Sequence, residues 1–255
     1  MLKIGLVGYG NLGWHLLQRL QLSIELRLEL CSRSEAVAEN GIVSVESCKE
    51  LSEDLDIVIL CVNDQNISAA AAELSEKLKK NALVLHTSGA TSMDALLEVH
   101  KPGVLYPLLS FKKGVVVDWE HCPVFVTSGR KEDGDLLQKF ATYLSPQVVT
   151  IADDERLRLH AAAVWANNFA NFMMVKAEDF LDAKNLNFNH LVPLIRQHLR
   201  QLNVFKPSEI QTGPAVRNDL NTMRRHLDLF ENEEDRKLYL EVSKLIQERF
   251  LNGEQ

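Results

Sequence analysis

The sequence predicts an α/β protein, a doubly wound and mostly parallel sheet over residues 1–152 followed by an all-helical region over residues 153–255. Three observations predict it. Short β-type runs alternate with helical stretches through the first half of the chain, the order expected of parallel strands joined by crossover helices. A glycine-rich turn, Gly8-Tyr9-Gly10-Asn11-Leu12-Gly13, stands between the first β-type run and the first helical stretch. After residue 152 the β-type runs cease and each following segment reads as helix or turn.

The β-type runs fall at 2–7, 24–31, 42–45, 57–62, 83–86, 104–106, 124–126 and 148–151. From Ile57 to Val62 the chain is apolar without a break, as a strand covered on both faces requires. The run at 24–30 instead alternates apolar residues with Glu25, Arg27 and Glu29, which places it nearer a sheet edge with one face partly wet. Asp153, Asp154 and Glu155 put negative charge where a helix dipole favours it, and no Gly or Pro interrupts the chain from there to about residue 183. One long helix is predicted there, with further helices at about 190–203, 215–230 and 234–251. Lys206-Pro207-Ser208 and Thr212-Gly213-Pro214 punctuate this region. Leu157, Ala161, Val164, Trp165, Phe169, Phe172 and Met173 make the long helix apolar nearly all round, so it is expected to be a buried spine.

With 255 residues, 46% of them hydrophobic and 25% charged, the chain can bury a sizeable core, and these proportions exclude disordered, collagen-like and disulfide-scaffold classes. A net charge of −7 argues against a nucleic-acid groove or an anionic membrane as main partner, because both need clustered cations. Cys31, Cys48, Cys61 and Cys122 show no C-x-x-C spacing, and three of them end or interrupt apolar runs; all read as reduced cysteines. No charged-then-apolar leader precedes the first strand, and no apolar run reaches the roughly 18 residues that cross a bilayer. A soluble cytoplasmic protein is expected.

The glycine turn has the setting that a dinucleotide site needs, following an apolar strand and opening a helix with Leu12, Leu16, Leu17 and Leu20. Gly8 permits the tight turn, Gly10 lets the backbone approach a pyrophosphate, and Gly13 lets the helix pack on the sheet. Tyr9, Asn11 and Leu12 complete the loop, whose N–H groups and helix dipole attract phosphate. An NAD site places Asp or Glu about 20 residues further on, at the end of the second strand. This chain has Cys31-Ser32-Arg33-Ser34 there; Arg33 can pair with a 2′-phosphate while Ser32 and Ser34 donate hydrogen bonds, so NADP(H) is the expected cofactor. Glu29 lies two residues too early and is expected to point out of the strand. The next strand ends, Val62-Asn63-Asp64 and His86-Thr87-Ser88-Gly89, are expected to line the same cleft. Val62, Asn63 and Ser88 are cofactor candidates, with helix capping as the alternative for Asn63 and Ser88.

On the long helix His160, Asn167 and Asn171 fall at i, i+7 and i+11, one face of a 3.6-residue helix, with Asn168 beside them. A polar stripe on a buried helix needs partners, supplied either by a structural network or by a ligand cleft. Downstream, Arg217 follows Thr212-Gly213-Pro214 and can hold a substrate carboxylate or phosphate, or else pair with Asp219.

The segments GYGNLG, CSRS, VND, HTSGA, the Pro-x-x-Ser-Phe stretch from Pro107 to Phe111, HAAAVWANNF and TGPAVRND together resemble a bacterial family. Its members join a Rossmann-like NADP-binding domain to a C-terminal helical domain of unknown function, and are often labelled NADP oxidoreductases related to deazaflavin-dependent ones. The resemblance spans nearly the whole chain. More distantly the layout is similar to 6-phosphogluconate dehydrogenase, hydroxyisobutyrate dehydrogenase and pyrroline-5-carboxylate reductase, in which the first helix after the Rossmann domain lines the substrate site. The hydroxyacid dehydrogenases carry a catalytic Lys four residues before an Asn on that helix; here Ala163 precedes Asn167 and Val164 precedes Asn168, so their route of alcohol oxidation is disfavoured. Family members often have His-Pro where this chain has Tyr106-Pro107.

These readings converge on NADPH-dependent reduction of a small C=O or C=N compound in the crevice between the two regions. The nicotinamide is expected over Ser88, with His160, Asn167 and Asn168 facing the substrate and Tyr106, Asn171 and Arg217 as substrate contacts. His160 is the first candidate to replace the missing lysine, ahead of Tyr106 and His86, and a protonated imine would need no strong acid. The alternative is a non-catalytic NADP(H)-binding sensor. No metal, nucleic acid or membrane is expected, and the apolar helices suggest a homodimer through the helical region.

Overall fold

The computed structural model describes residues 1–32 and 42–251. Eight strands form one sheet: β1 (Leu2–Val7), β2 (Leu26–Cys31), β3 (Val43–Val45), β4 (Ile57–Leu60), β5 (Leu83–His86), β6 (Pro102–Pro107), β7 (Val124–Ser128) and β8 (Val148–Thr150). Their order is β3-β2-β1-β4-β5-β6-β7-β8, and each pair is parallel except β6 with β7. The strand order reverses between β1 and β4, the switch point outside which doubly wound sheets bind ligands.

Both faces of this sheet are covered, as the apolar run at β4 demands. Ile57 and Ile59 join one cluster with Leu16, Leu17 and Leu20 of α1 (Asn11–Leu20). Val58 and Leu60 join the opposite cluster with Ala71 and Leu74 of α2 (Ile67–Ser75). Full burial of each large aliphatic side chain contributes about 1.5–3 kcal/mol, so this double cover is what holds the sheet. Phe140 and Leu137 of α3 (Lys131–Ala141) extend the first cluster beneath β6 and β7. The strand at 26–31 lies one place in from the β3 edge, but only Arg27 in it is exposed. Glu29 corrects an expectation: it points inward, where its carboxylate accepts from the Ser52 N–H at 2.8 Å and the Ser52 hydroxyl at 2.5 Å. Two donors make burial of this charge tolerable.

The chain divides into two compact units, Met1–Trp165 and Ala166–Gln255. The helix predicted from residue 153 therefore begins in the sheet unit, as α4 (Asp153–Ala163), and runs through a π-helical turn, Val164–Phe169, into α5 (Ala170–Asp182). The second unit adds α6 (Val192–Gln201), α7 (Leu220–Leu227) and α8 (Glu233–Leu251). Phe180 of α5, Phe230 and Tyr239 of α8 form a ring cluster with centroids 5.1 and 5.4 Å apart, and Lys176 pairs with Asp235 at 2.8 Å.

Two expectations for this region are corrected. The helix predicted from 215 starts at Leu220, because Gly213 and Asn218 have left-handed backbones (φ 114° and 52°) and Asp219 caps the helix by accepting from the Thr222 N–H at 3.0 Å. The long helix is not a buried spine: Leu157, Trp165, Phe169, Phe172 and Met173 are exposed. No described helix is long and apolar enough to cross a membrane.

Candidate active site

The glycine turn takes the geometry its sequence requires. Gly8 has φ 101°, and a Cβ there would lie 2.5 Å from the Cys61 carbonyl oxygen. A Cβ at Gly13 would collide with the Gly8 carbonyl oxygen, so this glycine is what lets α1 start against the turn. At Gly10 a Cβ would meet nothing within 4 Å, which leaves open backbone where a pyrophosphate can approach. Gly10 is the N-cap of α1 and no side chain caps it, so the first N–H groups of the helix remain available to an anion.

A cavity of about 640 Å³ opens beside this turn. It gathers Gly8, Tyr9, Gly10, Ser32, Val62 and Asn63 from three separate segments, all expected at the cofactor. Cys31, Cys48, Cys61, Glu46 and Glu73 also line it and carried no sequence signal of their own. The Leu12 side chain packs against the core, Gly13 lies against the Gly8 carbonyl, and the Asn11 side chain accepts from the Lys113 N–H at 3.1 Å. Arg33 and Ser34 lie outside the described residues. The Cys31 and Cys48 sulfurs lie 3.4 Å apart.

Because β1, β4, β5 and β6 run parallel, their carboxyl ends share one edge of the sheet. On that edge, beyond the cavity, the Tyr106 hydroxyl at the end of β6 lies 2.9 Å from Nδ1 of His160 on α4. Gly89, just past β5, is pressed against the pair: a Cβ there would collide with His160 Nδ1 and approach Tyr106 Cζ to 2.8 Å. Burial raises the Tyr106 pKa, partly opposed by the Arg156 cation, so the phenol holds its proton at neutral pH. A phenol and an imidazole in hydrogen-bond contact make a proton-donating pair.

Arg156 builds the platform under this pair, and sequence reasoning missed it. The side chain is 1% exposed. Its guanidinium donates to the Ser88 carbonyl at 2.5 Å, the Thr91 carbonyl at 2.7 Å and Asp153 Oδ1 at 2.5 Å. Asp153 in turn accepts from the Met93 N–H at 2.8 Å. Burial works to raise the Asp153 pKa, but hydrogen bonds from Arg156 and Met93 outweigh it and hold the carboxyl below its ordinary value. The i, i+3 spacing of Asp153 and Arg156 in the first turn of α4 was the available signal. Ser88 is spent on the same loop, its hydroxyl oxygen accepting from the Ala90 and Thr91 N–H groups at 3.1 and 2.9 Å. His86 is fully buried and accepts from the Ser88 N–H at 3.2 Å; burial, with help from the Arg156 cation, lowers its pKa to about 4. It is a neutral structural acceptor rather than a proton donor.

Residues 3–101 match the NAD binding domain of 6-phosphogluconate dehydrogenase, and residues 122–246 match a domain of unknown function, DUF2520. A candidate NADP oxidoreductase from Bacteroides fragilis shares 30% identity over 97% of this chain and 98% of its own, with TM-score 0.89. The chain belongs to that two-domain family. Its sheet unit is thus a Rossmann-like domain for a nicotinamide dinucleotide, the fold of NAD(P)-dependent oxidoreductases. A Plasmodium falciparum pyrroline carboxylate reductase solved with NADP bound has the same fold at 13% identity, covering 96% of this chain and 98% of its own with TM-score 0.62. So does an imine reductase from Streptomyces aurantiacus, at 14% identity, 98% and 94% coverage and TM-score 0.67. No curated protein matches the chain.

In this family member the polar stripe drawn on the long helix does not hold. The π-helical turn at Val164–Phe169 breaks the 3.6-residue period on which the spacing was counted. Asn167, Asn168 and Asn171 are exposed in the helical unit, whereas His160 belongs to the sheet unit. Arg217 is exposed in the turn before α7, where its charge helps the Thr222 hydrogen bonds hold the Asp219 pKa down.

Proposed function

We propose that the protein is an NADPH-dependent reductase of a small C=N or C=O compound, with Tyr106 and His160 as its proton-donating pair. The 2.9 Å contact between the Tyr106 hydroxyl and His160 Nδ1, on the same sheet edge as the glycine turn, carries this reading. A bound nicotinamide supplies a hydride to the substrate carbon. The chain's part is to place the accompanying proton. With His160 Nδ1–H donating to the phenol oxygen, the Tyr106 O–H is free to donate to the substrate nitrogen or oxygen. That heteroatom takes the phenol proton, and from a doubly protonated His160 the Nδ1 proton replaces it on the phenolate, leaving a neutral imidazole that regains a proton from water.

The preference for NADPH rests on Ser32, at the cavity wall, and on Arg33 next to it in sequence. A charge-assisted contact of about 1.5–3 kcal/mol corresponds to roughly ten- to hundred-fold tighter binding of NADPH than of NADH. Arg33→Ala abolishes that difference on this reading, and equal affinities in the unmodified protein would sink it.

A panel of imino acids and 2-oxo acids, followed by loss of the reduced-nicotinamide absorbance, tests the reaction. Tyr106→Phe and His160→Ala are expected to lower kcat by about 10²- to 10⁴-fold with NADPH affinity unchanged. If no compound is turned over and a partner binds only the NADPH-loaded protein, the protein is a sensor instead.

We also infer a homodimer through the helical unit, where Phe169, Phe172, Met173, Leu194, Leu199 and Leu245 are exposed. Apolar area of this kind favours self-association. Sedimentation analysis reads the outcome directly, and a monomer at all concentrations rejects it.

A further inference from the structure

The segment between β6 and β7 returns over the start of α1 and is tied there at several points. His15, buried on α1, meets the Lys112 carbonyl oxygen through Nε2 at 3.0 Å. Phe111 packs its ring against His15 and Trp119, with centroids 5.4 and 5.7 Å apart. The Lys113 N–H donates to Asn11 Oδ1 at 3.1 Å, fixing this backbone to the first residue of the helix. These ties carry the Lys113 ammonium to 4.5 Å from the centre of the Tyr9 ring, within the glycine turn.

The charge around the cavity makes that placement meaningful. A dinucleotide pyrophosphate brings two negative charges, yet the charged side chains among the described cavity-lining residues are Glu46 and Glu73. No Lys or Arg is among those lining residues. Backbone N–H groups and the α1 dipole offer partial charge only, about half a unit at a helix N-terminus. A full cation beside Tyr9 supplies what they lack.

We propose that Lys113 is a phosphate-binding residue of the dinucleotide site, its ammonium turning from the Tyr9 ring to the pyrophosphate when the dinucleotide binds. This rests on the dinucleotide reading of the glycine turn and is independent of any reductase chemistry. Lysine binds phosphate as a point charge on a flexible stem, so a short swing suffices and no prebuilt fork is needed.

The test is titration of the full chain with NADPH and with NADH by reduced-nicotinamide fluorescence. Lys113→Gln is expected to weaken both by a common factor of about ten or more, with the deficit shrinking as salt rises. Lys113→Arg is expected to restore most of the affinity, and Lys112→Gln, which alters a side chain while keeping the carbonyl that meets His15, is expected to change little. Loss confined to NADPH would place the ammonium at the 2′-phosphate and overturn the pyrophosphate assignment. Unchanged affinity for both, with circular dichroism showing a folded variant, would overturn the proposal outright. If the unmodified protein binds neither dinucleotide, the reading of the glycine turn fails first and takes Lys113 with it.

Discussion

Leu6, Leu16, Leu60 and Leu85 in the sheet unit are fully buried, whereas Leu194, Leu199 and Leu245 in the helical unit are 68%, 57% and 54% exposed. Among the described residues from 166 onward, only Ala215, Met223 and Ser243 are buried. The sheet unit closes its own core because strands and helices alternate and each face of β4 receives a helix. The helical unit includes a ring cluster and an ion pair, and leaves many of its large apolar side chains exposed. The difference teaches where each unit's apolar burial is completed: the first finishes it within itself, whereas the second leaves much of its apolar surface exposed.

The sharpest way to break that comparison is at the buried cation of the sheet unit. Arg156→Leu strands the Asp153 carboxylate and the Ser88 and Thr91 carbonyls, and is expected to cost about 3–5 kcal/mol in urea unfolding. A cost below about 1 kcal/mol would show that the loop at 88–91 is held by something else.

A pH series probes the same platform. His86 stays neutral in the fold down to about pH 4, while an unfolded histidine titrates near 6.5. Between those values the unfolded chain binds the extra proton, so the stability is complete above about pH 6.5 and is lost as pH falls towards 4. The loss amounts to about 3 kcal/mol. Asp153, with its depressed pKa, loses stability in the same acid direction, so the informative quantity is the difference between the unmodified protein and His86→Asn. Asparagine keeps an acceptor for the Ser88 N–H and does not titrate; parallel curves for the two proteins would refute the assignment.

Effects in the helical unit are expected to be smaller. Asp219→Ala removes the cap of α7 and is expected to cost about 1 kcal/mol. Phe172→Ser, at an exposed position, is expected to change the stability of a lone chain by no more than about 0.5 kcal/mol while weakening self-association in sedimentation. If it destabilises the chain at every concentration alike, the side chain is engaged within the chain and the contrast between the units narrows.

Much of the sheet unit was legible from local pattern. Each predicted strand run contains a strand, because continuous or alternating apolar residues bounded by turns report directly on sheet burial. The glycine turn was legible for a related reason: Gly8 and Gly13 stand where any side chain would strike backbone. Glu29 was misread because a strand's period tells which side a residue faces and not whether a partner such as Ser52 waits there. The asparagine stripe was misread because a π-helical turn leaves no mark on a run such as Val164 to Phe169.

By itself, then, the sequence determined the doubly wound sheet, the dinucleotide turn and the candidates Tyr106 and His160, since each follows from periodicity, backbone sterics or residue chemistry. Only the tertiary structure decided that Tyr106 and His160 meet, that Arg156 clamps the loop beneath them, and that Lys113 reaches Tyr9. These are contacts between residues 54, 68 and 104 positions apart in the chain, and local pattern has no term for them.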